Sequence, residues 1–186
     1  MNGQLRSRSS WGVKGAAVLD ELIALMGLSA EEAALLGDLA GEAAVRGPQM
    51  AEEFYGRLGT HANAVEFIDG VPMAGLHRTI IEWFIQLFGG SYGADYAARR
   101  LRIGEVHVKI GLPVRYPLAM LDVIIPHGVA IAKTSREPEA AQRAFYKVLA
   151  LDAAIFNQAY EDNQLAHLVD LVGGEMLARR LLAGEG

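Results

Sequence analysis

The sequence predicts an all-α fold. Apolar residues recur every three or four positions along nearly the whole chain, the period of a helix with one buried face. No stretch alternates β-branched with polar residues, no Asn-Gly hairpin signal sits between such stretches, and no segment repeats at a fixed period. The glycines fall mostly where the helical periodicity stops.

The elements follow in order. The first dozen residues are polar and are expected to fray. Val18, Leu22, Leu25 and Met26 share one face of a first helix, closed by Gly27. Ser29 caps a second helix, and Glu32 three residues later completes a capping box. Leu35, Leu36, Leu39 and Ala43 form its buried stripe, which Gly47-Pro48 is expected to interrupt. A short helix over 49–58 then carries Phe54 and Tyr55, and 63–70 is irregular. The pattern Leu76, Thr79, Ile80, Trp83, Leu87 predicts a helix over 72–88 that stops at Gly89-Gly90. Another covers 94–110, with Gly111 and Pro113 beyond it. A helix over 116–134 should bend at Pro126. The longest covers 137–172, and Gly173-Gly174 separates it from a last short arm, giving seven or eight helices.

The 186 residues fit one domain, and 52% hydrophobic against 21% charged residues describes a chain with a core to bury. With 0 cysteines there is no disulfide framework and no thiolate site, which fits a reducing cytoplasm. The net charge of -5 argues against nucleic acid as a partner. The longest uncharged run, Trp83 to Ala94, falls short of the ~18 apolar residues a membrane span needs. Lys14, Asp20 and Glu21 interrupt any secretory signal core. A cytoplasmic protein without a membrane span is expected.

Several catalytic signatures are missing: no His-Glu-x-x-His, no phosphate-binding glycine loop, no Gly-x-Ser-x-Gly elbow. Of the histidines, His61 falls in a polar loop, His77 on a polar helix edge beside Arg78, His127 after Pro126 and His167 near the end of the long helix; all four read as surface or structural. His107 differs. It shares a helical face with Ile103 and Ile110, and Gly104 and Gly111 are expected to leave that face thin. A buried imidazole without a partner costs about 1–3 kcal/mol. Either a backbone carbonyl satisfies it, or a flat cofactor lies on the thinned face and takes the nitrogen as axial ligand.

The segment RLRIGEVHVKIGLPVRY, Arg100 to Tyr116, resembles the signature around the iron-binding histidine of globin-coupled sensors and protoglobins, with Ile103, Gly104, His107, Ile110, Gly111 and Leu112 matching. LSAEEAALLGDL (Leu28 to Leu39) resembles the opening helix of that family. AEEFYGRL (Ala51 to Leu58) resembles the helix whose Phe-Tyr pair supplies a distal tyrosine, here Tyr55. LHRTI places Leu76 and Thr79 where the family lines its pocket. The resemblance runs from about Leu28 to Leu171; it departs at Pro113, which follows Leu112 directly, and at Pro117 after Tyr116.

The resemblance implies a globin-like fold with an extra N-terminal helix and long C-terminal helices, divided as a flexible 1–12, a globin domain over 13–172 and a helical arm over 173–186. It implies haem b (iron protoporphyrin IX) with His107 on the iron, and Tyr55, Leu76, Thr79, Phe67, Ile103 and Ile110 around it. The implied ligands are oxygen, carbon monoxide or nitric oxide, and the implied role is a gas sensor rather than an enzyme. Only about a dozen residues follow Gly173-Gly174, too few for an output domain, so signalling through a partner protein is expected. Val148, Leu149, Leu151, Ile155, Phe156 and Ala159 span more of the long helix than one core face needs, which predicts a homodimer through the last two long helices. Two other classes are a haem-free interaction module and a haem enzyme, such as a peroxidase or a nitric-oxide dioxygenase. The first usually lacks the histidine, and the second needs a distal His with Arg or a reductase.

Overall fold

A computed structural model describes residues 8–184. Among these the chain is all-helical, without strands. A 3-10 turn, Ser9–Gly12, precedes α1 (Ala16–Met26), α2 (Ala30–Gly37), α3 (Ala40–Gly59) and the single turn α4 (Ala62–Val65). Then come α5 (Met73–Gln86), α6 (Ala94–Lys109), α7 (Arg115–Ala119), α8 (Leu121–Ala132), α9 (Pro138–Val172) and α10 (Glu175–Leu182).

The expected helix ends are largely where backbone chemistry puts them. Ser29 Oγ accepts from the Glu32 N–H at 3.2 Å, and Glu32 Oε2 accepts from the Ser29 N–H at 3.0 Å. Lys147 Nζ, on α9, donates to both Glu32 carboxylate oxygens at 2.7 and 2.8 Å, tying α2 to the long helix. Gly27, Gly111 and Gly173 close their helices with φ of +60°, +72° and +78°.

Three expectations are corrected. Pro48 does not break its helix; the chain is interrupted earlier, between Gly37 and Ala40, and α3 runs continuously past Pro48. Proline inside a helix costs about 3 kcal/mol. Here Ala43, Gly47, Met50 and Ala51 bury the inner face of α3 and offset it; a Cβ at Gly47 would stand 3.0 Å from Ile81 Cγ2 of α5. The later helix divides at Met120, between α7 and α8, while Pro126 lies inside α8. In α1, Leu19 is buried and Leu25 is 80% exposed, so the buried face is rotated from the expected one. Of the first dozen residues, expected to be flexible, 1–7 lie outside the described part; Trp11 sits under the Arg179 guanidinium (4.6 Å), and just beyond them Lys14 pairs with Glu175 (3.2 Å).

α9 is the axis of the molecule, packed by α1, α2, α6, α8 and α10. Toward its start it joins a core of Leu36, Met50, Phe84, Phe88, Ile131 and Phe145; further along, Leu151 and Ile155 meet Leu19, Tyr96 and Ala97. Val148, Leu149, Leu151, Ile155, Phe156 and Ala159 are therefore all buried within the chain itself. The apolar circumference that suggested a second copy is used by the helices of one.

Candidate functional site

His107 stands near the end of α6, a helix that lies along α9. Gly104 is what allows the close approach: a Cβ there would stand 2.5 Å from Ala159 Cβ and 2.9 Å from the Phe156 carbonyl oxygen. The missing side chain thus faces α9, which corrects the expectation that it thins a cofactor face. Gly111, with open space around its Cβ position, serves the helix end.

The His107 ring meets Phe156 edge-on, with centroids 5.3 Å apart. Its Nδ1 lies 2.7 Å from the Ile103 carbonyl oxygen. A carbonyl only accepts, so Nδ1 carries the hydrogen and donates, and Nε2 is left with its lone pair. No group among the described residues bonds Nε2. Burial pushes the His107 pKa below the ordinary 6.5, with the Ile103 bond partly opposing, so the ring is neutral at pH 7. Beside it, Val106 and Ile110 are each 50% exposed, and Ile103 is half-buried. A nitrogen with a lone pair to offer thus sits on a helix whose neighbouring aliphatic side chains are partly uncovered.

Tyr55 lies on α3, half-buried, and donates its hydroxyl to the Leu76 carbonyl at 3.3 Å. Burial pushes its phenol up to about 12, which keeps it a hydrogen-bond donor at neutral pH. Leu76 is half-buried. Thr79 is exposed, and its hydroxyl donates back to Leu76 O at 2.9 Å and Gly75 O at 3.2 Å. Tyr55, Leu76 and Thr79 therefore do meet. Phe67 is half-buried against Tyr116, centroids 6.2 Å apart, and Tyr116 also meets His61 at 5.6 Å.

α5 and α6 are joined at one end by a buried polar network that the sequence did not suggest. Asp152 of α9 accepts from Trp83 Nε1 (2.8 Å), from Tyr96 OH (2.5 Å) and from Arg100 Nε. Arg100 also donates to Gln86 Oε1 (2.5 Å) and to the Trp83 carbonyl (3.3 Å), and lies 4.2 Å over the Tyr96 ring. Thr79 stands seven residues before Gln86, and His107 seven after Arg100. Seven residues are about two helical turns, or ~10.5 Å, on the same face. Thr79 and His107 therefore stand about two turns from this junction, each on the face of its own helix that carries Gln86 or Arg100. No hydrogen bond or ring contact links Leu76–Ile80 to Ile103–Ile110 among the described residues. Two surface concavities, of about 480 and 190 Å³, are lined from the N-terminal turn, α9 and α10.

His77 departs from its surface reading, and His127 takes the structural one. His77 is half-buried and stacks on Tyr55, with centroids 5.2 Å apart and planes within 14°. His127 is buried, its Nε2–H donating to Glu53 at 2.9 Å, which ties α8 to α3. His61 is exposed and caps α4 through Nδ1, accepting from the Ala64 N–H at 3.2 Å, and His167 is exposed. Arg100 was the detectable miss. A cation two turns before His107, on the face of α6 that also carries Ile103, needs a buried counter-charge.

The protoglobin family model matches residues 16–166. The chain belongs to the protoglobin family. Its fold is also that of the globin domain of the Geobacter sulfurreducens globin-coupled sensor, with TM-score 0.71 and 27% identity, over 76% of this chain and 96% of that one. A search of curated proteins finds no match. Membership of a globin family implies a haem cofactor, and the residues of this protoglobin fit one. A porphyrin supplies four of the iron's ligands, so a single neutral imidazole with a bare Nε2 is the donor it requires from the protein. Among the described residues there is no group of three or more His, Asp or Glu that could hold a bare metal ion. No helix among them is long and apolar enough to cross a membrane.

Proposed function

We propose that this protoglobin binds haem b through His107 Nε2 and reversibly takes up a diatomic gas, oxygen, carbon monoxide or nitric oxide, as a cytoplasmic gas sensor rather than as an enzyme. One observation carries this: the bond from His107 Nδ1–H to Ile103 O leaves Nε2 neutral and bare, on a helix whose neighbouring Val106 and Ile110 are half exposed. Bound there, haem would supply an iron with one further coordination position open to a small gas. Ile103 and Ile110, with Val106, would pack against the macrocycle on the His107 side; Tyr55, Leu76, Thr79 and Phe67 would form the opposite wall. The Ile103 carbonyl fixes the imidazole's tautomer and plane. The Tyr55 hydroxyl, protonated at any physiological pH, would be free to donate a hydrogen bond to a polar gas ligand on turning from Leu76 O, which would favour oxygen over carbon monoxide. Thr79 would supply the hydroxyl in place of Tyr55 by turning from its own helix.

For output we add a partner signalling protein and a pairing of two copies along α8 and α9, on the edge those helices leave exposed, where Tyr146 is 41% accessible. Sedimentation at micromolar concentration tests the pairing, and a monomer there removes it.

The deciding experiment is an absorption spectrum of the purified protein, oxidised, reduced and under carbon monoxide, beside His107→Ala. A Soret band that shifts with carbon monoxide and is lost or displaced in the variant is expected. A protein that ignores added haemin, or a variant with an unaltered band, refutes it. Tyr55→Phe should speed oxygen release, and an unchanged rate takes Tyr55 out of that role.

A further inference from the structure

Tyr55 is held on two sides by consecutive residues of α5. The Leu76 carbonyl takes its hydroxyl at 3.3 Å, and the His77 imidazole lies flat on its ring at 5.2 Å, while Phe54 meets that ring edge-on. The carbonyl is shared. Thr79 donates to it at 2.9 Å, the shorter of the two bonds. A phenol on the longer arm of a shared acceptor can turn to a better acceptor without leaving the carbonyl unpaired, because Thr79 keeps it bonded. The hydroxyl bond therefore does little to fix where Tyr55 points. The ring contact does more: His77 has no hydrogen bond among the described residues, and stacking on Tyr55 is the interaction its half-buried ring makes.

We propose that His77 is a positioning residue for Tyr55: its stacked imidazole holds the phenol in the plane from which the hydroxyl reaches a gas, and so sets how long that gas is retained. This rests on Tyr55 being the donor to the gas, as proposed above. His77 itself touches no ligand, so it acts only through the tyrosine. An aromatic ring of similar size at position 77 should serve as well, whereas a small side chain leaves the phenol free to swing about its Cα–Cβ bond.

The test is a double-mutant cycle on the haem-loaded protein, His77→Ala and His77→Phe, each with Tyr55 and with Tyr55→Phe, read as the oxygen dissociation rate. His77→Ala should speed release by roughly 2- to 12-fold, the range one aromatic pair contributes. His77→Phe should restore the original rate, and with Tyr55→Phe neither change should have further effect. NMR of the haem-free protein gives a second readout: the Tyr55 ring resonances, assigned with Tyr55→Phe, should move in His77→Ala through loss of the stacked ring and stay dispersed in His77→Phe. If Tyr55→Phe changes the rate and His77→Ala does not, the proposal falls and Tyr55 keeps its role. If neither changes it, both fall. Tyr55 resonances indifferent to His77→Ala overturn the contact itself, whether or not haem binds.

Discussion

Asp152→Ala should be among the most destabilising single changes available in this chain. The carboxylate is the acceptor for Arg100, Trp83 and Tyr96 at once, with side-chain exposures of 1% for Arg100 and 7% for Asp152. Removing it leaves a guanidinium in the interior with Gln86 Oε1 and the Trp83 carbonyl as its remaining acceptors, neither of them charged. Breaking a buried ion pair from one side costs about 3–5 kcal/mol. Orphaning two neutral donors adds to this, though not additively. A total stability of ~5–15 kcal/mol is typical of a domain, so the loss is a large fraction of it. With an m-value of ~2 kcal/mol/M, a ~4 kcal/mol loss moves the urea midpoint down by ~2 M. Asp152→Asn keeps one acceptor oxygen and the volume, and should lose less. The double variant Arg100→Met, Asp152→Leu should recover most of the loss, because no charge remains buried. A midpoint shift for Asp152→Ala equivalent to under ~1 kcal/mol, or a double variant as unstable as the sum of its singles, would refute the reasoning.

Gly104→Ala forces α6 away from Ala159 and Phe156, and should cost about 1–3 kcal/mol by thermal or urea denaturation; a neutral result would mean that the helix contact yields easily. Ser29→Ala removes the side-chain half of the α2 cap and should cost ~1 kcal/mol, measured the same way. Burial alone would raise Glu32, but the Lys147 ammonium and the Ser29 N–H outweigh it and hold the carboxyl below the ordinary 4.5. Its contribution is therefore present above pH 4.5 and lost as pH falls below that value, where the unfolded chain takes up the proton first. Glu32→Gln should flatten this acid limb of the urea midpoint against pH, and an identical limb would show that other groups set it.

The features legible in the sequence are those encoded within a few residues of one another. Ser29 with Glu32, the left-handed glycines at 27, 111 and 173, and the length of α9 need no tertiary information. His107 stands out in the sequence because the motif around it is local, whereas the burial of Gly104 against Ala159 comes from α9. Pro48 misled because its intrinsic cost is local, whereas the packing of Gly47 against Ile81 that offsets it comes from another helix. Arg100 and Asp152 look like solvated charges until residues 52 apart in sequence are brought together. His77 looked like a surface group because its partner, Tyr55, sits on α3, and the two elements meet only in the folded chain.

α9 extends over 35 residues with other helices against it on several sides. One residue inserted near Leu151 would turn everything beyond it by about 100° and advance it ~1.5 Å. Ile155, Phe156 and Ala159 would then leave their seats, and α10 would swing away from its own. The shortest insertion that returns those faces nearly to register is seven residues, still ~20° off. Changes in chain length among relatives should therefore collect in connections such as Thr60–Pro72, leaving this helix a fixed ruler.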